Sequence, residues 1–157
     1  MKQSKQIANR FREVLLSGQW IANTNCKEML SGISWQEAIQ KIGSLNTIHA
    51  LTYHIDYYVA GVLNVLEGGT LDIRDKYSFD CPEITCESDW DNLLNSMWSN
   101  AEQFANCVEK MSDEQLEKSF VDEKYGNYRR NIEAIIEHSY YHLGQISLIK
   151  KMLREGI

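Results

Sequence analysis

The sequence predicts an all-α protein, a four-helix bundle, and three observations predict it. Apolar residues recur with helical period along four long stretches, no stretch shows the period-two alternation of a strand, and proline occurs once, at Pro82. A chain of 157 residues falls within the usual range of one domain. With no internal repeat or linker, residues 1–157 are expected to form one bundle.

The first stretch aligns Ile7, Phe11, Val14 and Leu15 on one face and ends near Gly18. Residues 19–45 are less regular: a short helix is expected from Cys26 to Leu30, another turn capped by Ser34, and a break at Gly43. The second long helix runs from Asn46 or Thr47 to Glu67 with the stripe Ile48, Leu51, Ile55, Tyr58, Val62 and Val65, and Gly68-Gly69 supplies a left-handed end. For the third, Ser88 with Asp91 three residues on predicts a capping box. Trp90, Leu93, Leu94, Met97, Ala101, Phe104 and Val108 follow as its core face. The fourth extends from about Arg130 to Arg154 through Ile132, Ile135, Ile136, Leu143, Ile146, Ile149 and Leu153. Residues 68–87 are longer than a tight hairpin needs, so they suit a crossover between helices two and three. A second extended connection, Ser119–Tyr128, precedes the last helix.

Hydrophobic residues make up 43% and the net charge is -6, so a nucleic-acid surface, which concentrates Lys and Arg, is not expected. No apolar core for a signal peptide follows Met1, and no run approaches a membrane span, so a cytoplasmic protein is expected. Cys26, Cys81, Cys86 and Cys107 are then expected as reduced thiols. Four residues separate Cys81 from Cys86, which is not zinc-knuckle or thioredoxin spacing, and the pair reads as two loop cysteines.

The four histidines, at 49, 54, 138 and 142, all fall in predicted helices. His138 and His142 are four apart, so they point within about 40° of each other and both imidazoles reach one point. His49 and His54 differ by about 140° and cannot serve one site. His54 shares the apolar stripe with Leu51, Ile55 and Tyr58. His49 aligns with Thr52, Tyr53 and Asp56, a more polar side expected at the surface. The expected metal ligands are therefore His54, His138 and His142, because three buried neutral imidazoles gain a common partner in one cation. The bland alternative is three core histidines with no metal. A zinc protease would need Glu after the first histidine, where Ser139 stands. A diiron bundle would need Glu three residues before its histidines, where Leu51, Ile135 and Ser139 stand.

The segments Thr47-Ile48-His49-Ala50-Leu51-Thr52-Tyr53-His54-Ile55 and Ile136-Glu137-His138-Ser139-Tyr140-Tyr141-His142-Leu143-Gly144-Gln145-Ile146 resemble the DinB-like superfamily of small metal-binding bundles, which includes bacillithiol-type thiol transferases. The second segment is similar to that family's final-helix pattern of histidine, three residues, then His-x-Gly-Gln-Ile. The resemblance implies up-down-down-up threading, a metal triad of one histidine from helix two and two from helix four (His54, His138 and His142 here), and a homodimer. It gives no reason to expect DNA contact.

Three histidines leave a coordination position open, as catalytic zinc sites do, and a cation there lowers the pKa of a thiol. The first functional expectation is a metal-dependent transferase or related enzyme acting on a low-molecular-weight thiol, with Tyr58, Tyr141 or Gln145 around the ligands. The second is a non-catalytic metal-binding or damage-response dimerisation module. One divalent transition metal is expected, zinc or nickel ahead of iron, manganese or copper.

Overall fold

The computed structural model describes residues 2–157. Its four long helices are α1 (Gln3–Arg12, prolonged by a wider π-helical turn over Glu13–Ser17), α4 (Ile48–Leu66), α5 (Glu87–Lys110) and α7 (Tyr128–Glu155). The short helices α2 (Cys26–Leu30), α3 (Trp35–Ile39) and α6 (Asp113–Glu117) lie in the connections. Among the described residues no strand forms; Ser119 and Asn127 make one isolated antiparallel bridge.

Local chemistry sets most helix starts. The Thr47 hydroxyl accepts the Ala50 amide at 3.1 Å, and Asn127 accepts that of Arg130 at 2.9 Å, each satisfying a donor the first turn leaves free. Ser34 and Glu37 cap α3 reciprocally, as Ser112 and Gln115 cap α6, a helix the sequence pattern did not reveal. At the end of α4, Gly68 adopts φ +93°, and the Gly69 amide reaches back to the Asn64 carbonyl at 2.8 Å, closing a Schellman turn.

The expected Ser88–Asp91 capping box does not form. Helix α5 begins at Glu87, with Cys86 at the cap position and no side-chain cap bond. Asp89 instead reaches back to the Thr85 amide at 2.8 Å. The earlier start accords with Trp90, which is 1% exposed and donates its indole N–H to the Ile33 carbonyl at 2.9 Å. That anchor fixes the register of the first turn.

Contacts between helices give their directions. Ser4 bonds the Glu109 carbonyl while Phe11 stacks on Phe104, so α1 and α5 are antiparallel. His49 meets Trp90 and Asp56 meets Asn100, so α4 and α5 run parallel. Tyr58 lies against His138 and His54 against His142, so α4 and α7 are antiparallel. Gln3 pairs with Arg129 and Arg10 with Glu133, so α1 and α7 run parallel. The order is up-down-down-up, and the 67–86 connection returns the chain to start α5 beside the start of α4.

The apolar stripes meet in one core. Ile7, Phe11, Val14, Ile48, Leu51, Ile55, Met97, Phe104, Ile132, Ile136 and Ile146 are all buried. Leu93, Leu94, Leu153 and Tyr58 pack against that core while remaining partly exposed. No helix of the described residues is long and apolar enough to cross a membrane. The Phe11 and Phe104 rings stack at 4.3 Å in fully buried positions. Phe104→Ala should therefore destabilise the protein by about 3–5 kcal/mol, read from urea unfolding monitored by circular dichroism. A loss under 1 kcal/mol would mean the helices do not meet there.

Candidate metal centre

His54 reaches the interior from α4, and His138 and His142 reach it from successive turns of α7. The Nε2 atom of His138 lies 3.0 Å from that of His54 and 3.0 Å from that of His142. The three can offer ring nitrogens that all lie within 4.8 Å of one another, and no fourth His, Cys, Asp or Glu joins them among the described residues. His54 and His142 are buried and His138 is half-buried.

Hydrogen bonds on the far side of two rings decide which way their lone pairs point. His54 Nδ1 lies 3.2 Å from the Ser78 carbonyl oxygen, which can only accept, so Nδ1 carries the proton. His142 Nδ1 lies 2.6 Å from the Gln145 side-chain oxygen and donates to it in the same way. In neutral imidazoles both Nε2 atoms are then unprotonated, and both face His138. One proton on His138 Nε2 can be aimed at only one of them, and a cation shared by the three rings would satisfy the other facing pair. Nitrogens 3.0 Å apart can each lie about 2.0–2.1 Å from a single ion. The donor set thus fits a divalent transition metal.

A proton is a poor substitute. Burial, then the neighbouring His142 and His54, pushes His138 down to about 4. Burial lowers His54 as well, partly opposed by the bond to Ser78, and lowers His142 against the bond to Gln145. All three are therefore neutral at pH 7, which is the ligand form of imidazole.

The connection 67–86 builds one wall of the centre. Gly61 lets it approach α4: a Cβ there would fall 2.4 Å from a methyl carbon of Ile73. The Tyr57 hydroxyl bonds the Arg74 backbone on both sides, and Tyr58 donates to Asp75 at 2.8 Å. A 3₁₀ turn over Asp75–Tyr77 then presents the Ser78 carbonyl to His54 and stacks Phe79 on its ring at 3.9 Å. Tyr58 lies edge-on to both His54 and His138, and Tyr141, itself 65% exposed, lies edge-on to His142. A cleft of about 290 Å³ runs beside His138, lined largely by apolar side chains such as Val62, Leu71, Ile73, Phe120 and Ile135.

The structure thus gathers His54, His138 and His142, with Tyr58, Tyr141 and Gln145 all in contact with the rings. Ser78, Phe79 and Asp75 were not foreseen; a backbone carbonyl has no residue signature, and loop positions follow no helical period. His49 stands apart, as the phasing required, but it is not on the surface. It is 6% exposed with Trp90 edge-on at 6.5 Å, because α5 covers the side of α4 that carries Thr52 and Asp56. All four cysteines are free, and none joins the histidines.

Removing the acceptor from His142 Nδ1 by Gln145→Leu should weaken zinc binding about 10–100-fold in competition with a chromophoric chelator; unchanged affinity would deny the bond that role. The metal-free protein should also lose stability as pH falls. Each folded histidine holds its proton less tightly than the ordinary value of 6.5, so below it the unfolded chain takes up more protons. Thermal unfolding temperature should drop steadily from pH 6.5 toward 4, and less steeply in His138→Ala.

No protein-family model matches this chain, and no curated protein or solved structure matches it either. The helical bundle and its buried three-histidine cluster rest on the residues of this chain alone.

Proposed function

We propose that the protein is a DinB-like bundle that binds one divalent transition metal, zinc or nickel first, through His54, His138 and His142, and uses it to transfer a low-molecular-weight thiol. The carrying observation is the convergence of the His54 and His142 lone pairs on His138 at 3.0 Å, with the opposite nitrogens committed to Ser78 and Gln145. The up-down-down-up order and the residues around the two histidine segments support the family reading.

A divalent ion held there would supply the Lewis acidity that keeps a thiol ionised at neutral pH. The protein's own part is positioning. Ser78 and Gln145 hold the rings, Phe79 covers His54 from solvent, and the Tyr58–Asp75 pair fixes the loop that carries both Ser78 and Phe79. The apolar cleft beside His138 would receive the carbon body of the thiol or its electrophile. Transfer forms a carbon–sulfur bond as the sulfur displaces a leaving group, which departs with its electron pair. Tyr141 and Leu148, 65% and 58% exposed on α7, offer a face to a second copy in a homodimer.

Metal analysis after zinc or nickel loading should give one ion per chain, and none for His138→Ala combined with His142→Ala. Turnover with a small thiol and an alkyl halide should disappear with the metal. Full metal occupancy in the double variant would overturn the site; turnover that survives complete metal removal would overturn the reaction.

A further inference from the structure

Two residues along α4 from His54, Asp56 points about 160° away from it, toward α5. It is 8% exposed, and the Asn100 side chain donates to its Oδ1 at 2.9 Å. Its other oxygen accepts no hydrogen bond from the described residues, and no Lys, Arg or His among them pairs with it. No side-chain oxygen sealed from solvent lacks a partner among those residues, so this oxygen opens to accessible space.

That space is a cleft of about 480 Å³ between α4, α5 and residues 70–73. Its lining carries two carboxylates, Asp56 and Asp72, and no Lys, Arg or His. Most of its other polar groups are already committed. The single Thr70 hydroxyl proton is shared between the two oxygens of Asp72, 2.8 and 2.9 Å away, Asn64 donates to the Thr70 carbonyl, and Tyr57 is bonded to the Arg74 backbone. The second oxygen of Asp56 therefore keeps spare acceptor capacity toward the cleft. Burying a carboxylate without a counter-ion costs stability unless a ligand brings the missing charge. The Tyr53 and Tyr57 rings, 6.1 Å apart, line the same cleft and suit a cation over their faces.

We propose that this cleft is a second binding site, one for a small organic cation whose primary ammonium group pairs with Asp56 while its carbon chain lies against Tyr53 and Tyr57. A bare transition-metal ion is a poorer fit, since the only group of three metal-type ligands found among the described residues is the histidine cluster. The site lies on the opposite side of α4 from that cluster, so it stands or falls independently of the metal.

Isothermal titration of the full chain with n-butylammonium and 2-phenylethylammonium, against 1-butanol and 2-phenylethanol, tests it. At least one ammonium should bind saturably at one per chain, and neither alcohol should bind. Asp56→Asn, which keeps the shape and removes the charge, should weaken binding at least tenfold. Ala60→Phe, which fills the cleft and leaves the carboxylate, should abolish it; His138→Ala should leave it unchanged. Far-ultraviolet circular dichroism confirms that each variant is folded. Absence of saturable ammonium binding, equal binding of the alcohols, a loss under tenfold in Asp56→Asn, or loss in His138→Ala would each overturn the proposal.

Discussion

Two imidazole nitrogens, from His54 and His142, each lie 3.0 Å from a third, that of His138, between α4 and α7, an arrangement consistent with one shared metal ion. Much of the surrounding structure keeps that arrangement in place. Antiparallel pairing of α4 with α7 brings His54 opposite one turn of α7, and the four-residue spacing of His138 and His142 sets their two rings edge-on along that turn. Because the bundle core desolvates all three, protonation is disfavoured and the nitrogens stay available to a metal.

The long connection between α4 and α5 has two roles that share one cause. It must run back along the bundle so that α5 can start beside the start of α4. In doing so it lies along α4, where Gly61 permits close approach and Tyr57 and Tyr58 tie it down. A segment required by topology thereby becomes a wall of the histidine cluster, carrying the carbonyl that meets His54 Nδ1. Its other edge, near Ile73 and Asp72, closes the cleft that contains Asp56. The two faces of α4 thus differ in chemistry, one carrying His54 into the histidine cluster and the other the buried acid Asp56 bonded to Asn100.

Helix α4 also shows where reasoning from polarity fails. His49, Thr52 and Asp56 form a polar side in sequence, yet all three are buried, because a helix at the junction of two neighbours is covered on more than its apolar stripe. Thr52 satisfies its hydroxyl on the Ile48 carbonyl and Asp56 receives one bond from Asn100, so polar character did not prevent burial. A single stripe per helix is the expectation for a surface helix; α4 packs against both α5 and α7.

The sequence by itself determined the four long helices and singled out the three histidines that the fold gathers. Helical period, caps at Ser34 and Thr47 and the glycines after Glu67 are local properties, and the phase difference between His49 and His54 follows from helix geometry alone. The length of the 68–87 connection was enough to suggest the crossover. Tertiary structure decided the rest. It set the start of α5, through a Trp90 anchor to a residue 57 positions away, and it brought the Ser78 carbonyl to His54 across 24 positions. It also buried the polar side of α4 under α5. These depend on which surfaces meet once the helices pack, and a one-dimensional pattern records the period of each face but not its neighbour.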